Sequence, residues 1–70
     1  MEFTVVVHEA EEGGYWVEVP ALPGCFSQGE TLDETLQNVR RAIRSHVEAL
    51  KEEGMPVPAE GELLLARVAI

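Results

Sequence analysis

One long stretch, residues 31–53, limits what this chain can fold into, because it carries a sustained helical pattern. Its apolar residues recur every three or four positions and form one stripe: Leu32, Leu36, Val39, Ile43, Val47 and Leu50. Thr31 is a favourable N-cap, and Glu34 completes a capping box three residues later. Gly54 supplies the helix end, and Pro56 prevents continuation. At 1.5 Å per residue such a helix is about 33 Å long, enough to cross a small sheet.

Three short strand patterns precede this helix. Residues 2–8 are rich in β-branched side chains, and residues 15–19 alternate in the same way, with an acidic, glycine-containing turn between them. This arrangement predicts a β-hairpin. Residues 20–24 contain two prolines and a Pro-Gly turn signal, which interrupt the pairing before a short third strand at 25–28.

A proline-rich connector follows the helix and leads into residues 62–70, whose apolar density predicts a fourth strand. The predicted fold is α+β in the order β-β-β-α-β. It consists of a three-stranded antiparallel meander, one long helix on one face, and a fourth strand parallel to the first and beside it. Residues 1–70 are expected to form one domain with a thin core.

A single helix covers only one face of such a sheet. Alternation assigns one set to the helix side: Phe3, Val5, Val7, Tyr15, Val17 and Val19. The other face receives Thr4, Val6, His8, Trp16, Glu18 and Phe26. Since half of that second set is apolar, we expect a partner protein or a second copy to cover it. The candidate interface residues are Trp16, Glu18, Val6, Phe26, Leu22, Leu63 and Leu65.

The charge balance restricts the classes of partner. The chain has 13 acidic and 5 basic residues and a net charge of −8, of which the helix contributes −1 and the rest of the chain −7. Such a surface argues against direct binding of nucleic acid or anionic lipid and favours a cationic partner, unless the excess acid only maintains solubility. No apolar run reaches the length of a membrane span and the N-terminus shows no signal peptide, so a cytoplasmic location is expected.

We predict no catalytic residue, cofactor or metal site. Cys25 is the single cysteine, and no local motif places His8 or His46 beside it, so we interpret it as a small buried residue. The carboxylates form no cluster suited to a metal-dependent nuclease. Three helix arginines are interpreted as a solvated face, with a small RNA-binding patch as the alternative: Arg40, Arg41 and Arg44. Without a disulfide or metal, self-association is the remaining way to stabilise so small a chain, so we expect a homo-oligomer.

The chain also resembles the HicB-like antitoxin family, including its short stand-alone members. The resemblance is carried by residues 14–25 (GYWVEVPALPGC), by residues 53–58 (EGMPVP), and by Ser27, Gly29, Thr31, Glu34 and Leu36 between them. It implies a pared-down ribonuclease H fold. It also implies inhibition of HicA-type toxins, small basic RNA-cleaving proteins of double-stranded-RNA-binding fold, by covering their surface and active site.

Full-length members of that family usually carry a C-terminal helix-turn-helix or ribbon-helix-helix module. This sequence ends at Ile70 without one, so direct DNA binding is not expected. The leading hypothesis is a non-enzymatic antitoxin that binds a HicA-type toxin. The alternative is an orphan module that self-assembles through its uncovered sheet face. A residual nuclease would need the carboxylate cluster that the sequence lacks.

Overall fold

The computed structural model describes residues 1–61 and 64–70. Its elements are β1 (Val6–Glu9), β2 (Tyr15–Glu18), β3 (Phe26–Gly29) and α1 (Leu32–Glu52). The strands form an antiparallel sheet in the order β1-β2-β3, and α1 packs across one face, against β2 and β3. This is the predicted α+β meander with one covering helix.

Local turn chemistry explains how the three strands are joined. In the β1–β2 turn, Gly13 and Gly14 adopt φ values of 99° and 76°, which favour glycine. Between β2 and β3, the Cys25 N–H donates to the Leu22 carbonyl at 2.9 Å, and Gly24 has a φ of 83°. With Pro23 before it, this is a type II turn, as the Pro-Gly pair predicts.

Both ends of α1 lie where the sequence places them. The Thr31 hydroxyl accepts a hydrogen bond from the Glu34 N–H at 3.1 Å. At the other end Gly54 has a φ of 71°, the Gly54 N–H donates to the Lys51 carbonyl, and the Met55 N–H donates to the Leu50 carbonyl. This pair of bonds is a Schellman motif, which satisfies carbonyls that the helix end leaves free.

The core lies between α1 and the sheet and is small. Its buried apolar members are Val17, Val19, Leu22, Cys25, Val39 and Val47. The predicted helix stripe is correct in its C-terminal half and wrong at its start, where Leu36 remains 39% exposed and Leu32 46% exposed. Thr35 is buried there instead. Its hydroxyl donates to the Thr31 carbonyl at 2.7 Å, which satisfies the polar group inside the core.

Gly29 explains why Thr35 faces the sheet. A Cβ atom on Gly29 would lie 2.7 Å from Thr35 Oγ1 and 2.8 Å from the Thr35 backbone nitrogen. The first turn of α1 therefore approaches β3 too closely for a leucine side chain to fit between them. Asn38 reinforces this contact, since its amide nitrogen donates to the Gln28 carbonyl at 2.8 Å.

The first strand is shorter than predicted and begins at Val6 rather than residue 2. The register pairs Val6 with Glu18, which places Thr4 opposite Pro20. Proline has no N–H to donate, so the ladder cannot continue past that pair. Instead, the Thr4 N–H donates to the Glu60 carboxylate of the connector.

The fourth strand is the main difference from the prediction. Residues 64–70 form no strand, and Leu64, Leu65, Val68 and Ile70 are exposed. The part of that prediction on Glu62 and Leu63 lies outside the described residues. Within the described residues β1 pairs with β2 alone, so no strand lies beside this segment and its apolar side chains stay in solvent. Across residues 1–61 and 64–70, no helix is long and apolar enough to cross a membrane.

Candidate protein-binding surface

The side of the sheet away from α1, called the open face below, is set by the strand register. One cross-strand row joins Val6, Glu18 and Phe26, and the next joins His8, Trp16 and Gln28. Directly opposed residues of an antiparallel sheet share a face. The register therefore confirms the side to which the sequence assigns Val6, His8, Trp16, Glu18 and Phe26.

Three side chains of the open face hold one another in place. The imidazole of His8 stacks on the Trp16 indole, with ring centroids 4.0 Å apart and an angle of 12° between the planes. The His8 Nε2–H group donates to Glu18 Oε2 at 2.7 Å. Both His8 and Glu18 remain partly exposed, so water weakens this contact and its main effect is to orient the rings.

The open face also presents apolar surface to solvent. Phe26 is 69% exposed and Trp16 is 39% exposed, while Val6 at the start of β1 is half-buried. Aromatic side chains with a polar border are typical of protein-binding surfaces, where they bury a large area at low entropic cost. This face can therefore bind a complementary protein surface without rearrangement of the sheet.

An open depression of about 990 Å³, called the acidic groove below, adjoins this face at the β1–β2 turn and the start of α1. Five carboxylates line it: Glu9, Glu11, Glu12, Glu30 and Glu34. Trp16 and Gln28 line the groove as well, so it is continuous with the open face. The concentration of negative charge favours cationic side chains of a partner.

The predicted interface residues divide into three groups. The structure brings Val6, Trp16, Glu18 and Phe26 together on the open face. Leu22 is fully buried in the core beneath the β2–β3 turn and has no surface to offer a partner. Leu65 lies in the exposed C-terminal residues, and Leu63 lies outside the described residues.

Sequence reasoning missed the acidic groove as a local feature. The excess of acid outside the helix indicated a cationic partner, but it did not locate the charge. Glu30 and Glu34 join Glu11 and Glu12 only because the antiparallel register places the β1–β2 turn beside the chain entering α1. The lengths of the predicted strands and turns could have placed these two groups of carboxylates at the same end of the sheet.

Cys25 is in the core, as predicted, and burial raises the pKa of its thiol above the ordinary value of 9.0. A raised pKa keeps the thiol protonated, the opposite of what a nucleophilic cysteine needs. Among residues 1–61 and 64–70, no three His, Cys, Asp or Glu side chains converge in a way that could hold a metal ion.

A helix-backed sheet with an exposed, aromatic and acid-bordered face is typical of small protein-interaction domains. The chain belongs to the HicB-like antitoxin family: residues 3–67 match the profile described as the HicB-like antitoxin of bacterial toxin–antitoxin systems.

Individual relatives agree with this assignment. The chain is 47% identical over 60 residues to the UPF0150 protein Ta0767 of Thermoplasma acidophilum, covering 86% of this chain and 87% of that protein. It is 43% identical over 58 residues to the UPF0150 protein ssr1765 of Synechocystis, covering 83% and 73% of the two chains.

Solved structures of antitoxins share the fold. The N-terminal domain of the Burkholderia pseudomallei antitoxin HicB superposes with a TM-score of 0.79 at 43% identity, covering 90% of this chain and 74% of that domain. In a second structure, of the Burkholderia pseudomallei antitoxin HicB, the match has a TM-score of 0.78 and covers 90% of this chain and 48% of that chain. A HicA3–HicB3 toxin–antitoxin complex contains a chain that matches with a TM-score of 0.71 at 30% identity, and the match covers 86% of this chain and 69% of that chain.

Proposed function

We propose that this chain binds and neutralises a small, basic HicA-type RNA-cleaving toxin by covering its surface, with no catalytic step of its own. One observation carries the proposal: an exposed aromatic face continuous with an acidic groove, in a chain similar to an antitoxin solved together with its toxin. In this proposal the antitoxin acts by stoichiometric binding.

The two parts of the surface have different physical effects. The net charge of −7 outside residues 31–53, concentrated in part around the acidic groove, attracts a basic partner and raises the association rate. Trp16 and Phe26 on the open face then act as apolar anchors that slow dissociation. A basic RNA-cleaving protein satisfies the charge requirement, since its surface must be cationic to hold RNA.

The first experiment is co-expression of the chain with a HicA-type toxin, taken from the adjacent reading frame if that frame encodes a short basic protein. The expected result is a stable complex that copurifies and restores growth to cells producing the toxin. A toxin that remains active and unbound in the presence of folded antitoxin would refute the proposal. It would favour the alternative, an interaction module that assembles with itself and has no toxin partner.

A charge-reversal pair tests the groove. Glu11→Lys with Glu12→Lys places two cations in the acidic groove, whereas Glu52→Lys with Glu53→Lys makes the same change in net charge at the far end of α1. We expect the groove variant to associate with toxin at least tenfold more slowly at low salt, a difference that diminishes at high salt. Equal slowing by both pairs would assign the effect to net charge and exclude a specific groove contact.

A second pair tests the open face. Phe26→Glu introduces a charge where the aromatic anchor is exposed, and Met55→Glu makes a matched change at a 51% exposed apolar residue after the helix. Only Phe26→Glu is expected to accelerate dissociation from the toxin, by tenfold or more. Unchanged dissociation for Phe26→Glu would place the toxin on another surface.

A further inference from the structure

The C-terminal segment, residues 64–70, is an exposed apolar stretch in a protein that is otherwise rich in charge. Leu64 and Leu65 are 79% and 80% exposed, and Val68 is 84% exposed. Exposed apolar side chains grouped in one segment mark a surface that binds another protein. This segment is separate from the open face that the proposed function uses.

The outer edge of β1 is unpaired in the described part of the chain, and a further strand could bind there. In the described part of the chain β1 pairs with β2 alone, so its other edge has no strand beside it. The Ala10 N–H donates to the Gly14 carbonyl, which fixes the even-numbered residues as those bonded to β2. By alternation, the N–H and C=O groups of Val7 and Glu9 point outward from that edge. Such an edge accepts a further strand.

The segment has the length and pattern that this edge requires. Seven extended residues span about 23 Å, more than the roughly 13 Å of the four-residue β1. Leu64, Ala66, Val68 and Ile70 share one side of an extended chain, and Leu65 and Arg67 lie on the other. The apolar side would continue the row of Val7 on the helix side, and Arg67 would then lie on the side of the sheet that carries Glu18.

We propose that the C-terminal segment of one copy adds as a fourth strand to the outer edge of β1 in a second copy, and receives that copy's segment in return. Reciprocal exchange gives a closed two-fold dimer with two equivalent junctions. In the single chain the Thr4 N–H donates to the Glu60 carboxylate of the connector, and residues 64–70 are exposed and form no pairs with β1. The open face is not consumed by this dimer, so it remains available for a different partner.

Sedimentation of the full chain is the first test. We expect a dimer at micromolar concentration and a folded monomer for Leu64→Lys with Val68→Lys, because both side chains are exposed and contribute nothing to the core. Met55→Lys is the matched control at an exposed apolar residue elsewhere and should leave the dimer intact. A monomeric wild-type chain, or a dimer that survives the double lysine change, would overturn the proposal.

Complementation distinguishes exchange between copies from pairing within one chain. Val7→Pro removes an outward N–H and blocks the accepting edge, a substitution that edge strands tolerate. Alone, the edge-blocked and segment-blocked variants should each be monomeric, with the helical circular dichroism of the wild type confirming that both remain folded. Mixed together, they should form a heterodimer through the one junction that remains intact. A mixture that stays monomeric would show that the segment does not exchange.

Discussion

Gly29→Ala tests the close approach that fixes α1 on the sheet. The added methyl group would lie 2.7 Å from Thr35 Oγ1, 2.8 Å from the Thr35 nitrogen and 3.1 Å from its Cα. Two of these three atoms are backbone, so the helix itself must move by several tenths of an ångström. Overpacking of this kind costs about 1–3 kcal/mol. Reduced freedom of the unfolded chain offsets about 0.4–1 kcal/mol of that cost.

These two effects leave a net loss of about 0–2.6 kcal/mol in the free energy of unfolding, and we expect the upper half of that range, about 1.3–2.6 kcal/mol, because backbone atoms cannot rotate away as a side chain can. For so short a chain this corresponds to a fall in Tm of about 5–20 °C. The assay is thermal and denaturant unfolding followed by circular dichroism. Gly61→Ala is the matched control, because a Cβ there meets nothing within 4 Å.

A double variant separates the two kinds of contact. Adding Thr35→Ala to Gly29→Ala removes the clash with Oγ1 but leaves the clashes with the backbone nitrogen and Cα. Thr35→Ala has a cost of its own, because it removes the buried hydroxyl that donates to the Thr31 carbonyl, so the double variant is compared with Thr35→Ala alone. On that background Gly29→Ala should still cost more than half of what it costs in the wild type. If Gly29→Ala unfolds within 0.5 kcal/mol of the wild type, roughly the error of such measurements, the close approach does not limit the packing of α1 and the reasoning is refuted.

Three further predictions concern the core and the helix cap. Leu22→Ala should lower the free energy of unfolding by about 2–5 kcal/mol, because Leu22 is fully buried. Leu36→Ala should lower it by less than about 1 kcal/mol, because Leu36 is 39% exposed, and denaturant titration measures both values. Burial raises the pKa of the Cys25 thiol, so its contribution to stability is present below pH 9.0 and is lost as pH rises beyond it. In denaturant titrations above pH 9.0, the free energy of unfolding of the wild type should therefore fall more steeply with pH than that of Cys25→Ala. Thr31→Ala should cost about 1 kcal/mol by removing the hydroxyl that accepts the Glu34 N–H, whereas Thr31→Ser should retain most of the stability in the same assay.

Features encoded by neighbouring residues could be predicted from the sequence. The bounds of α1 follow from Thr31 and Gly54, each of which acts through hydrogen bonds within four residues of itself. The type II turn follows from Pro23 and Gly24 in the same way. The faces of β1 and β2 follow from strict alternation, which needs only the correct hairpin.

Features that depend on contacts between residues far apart in the chain could not be predicted from the sequence. Leu36 fits the helical stripe by periodicity, yet Gly29 draws the first turn of α1 so close that Thr35 is buried in its place. The length of β1 depends on Pro20, which lies opposite Thr4 only after the register is set. For the candidate site, the open face was predictable and the acidic groove was not, because Glu30 and Glu34 reach Glu12 through the folded register.

The stack of His8 on Trp16 has a spectroscopic consequence. The chain has one tryptophan, so its fluorescence emission arises from a single site on the open face. The His8 imidazole, with its centroid 4.0 Å from that of the indole, holds the indole in one orientation, and the Trp16 side chain remains 39% exposed to water. A protein that covers the face should therefore shift the emission to shorter wavelength by excluding this water. The domain thus carries an intrinsic optical probe at its proposed binding surface.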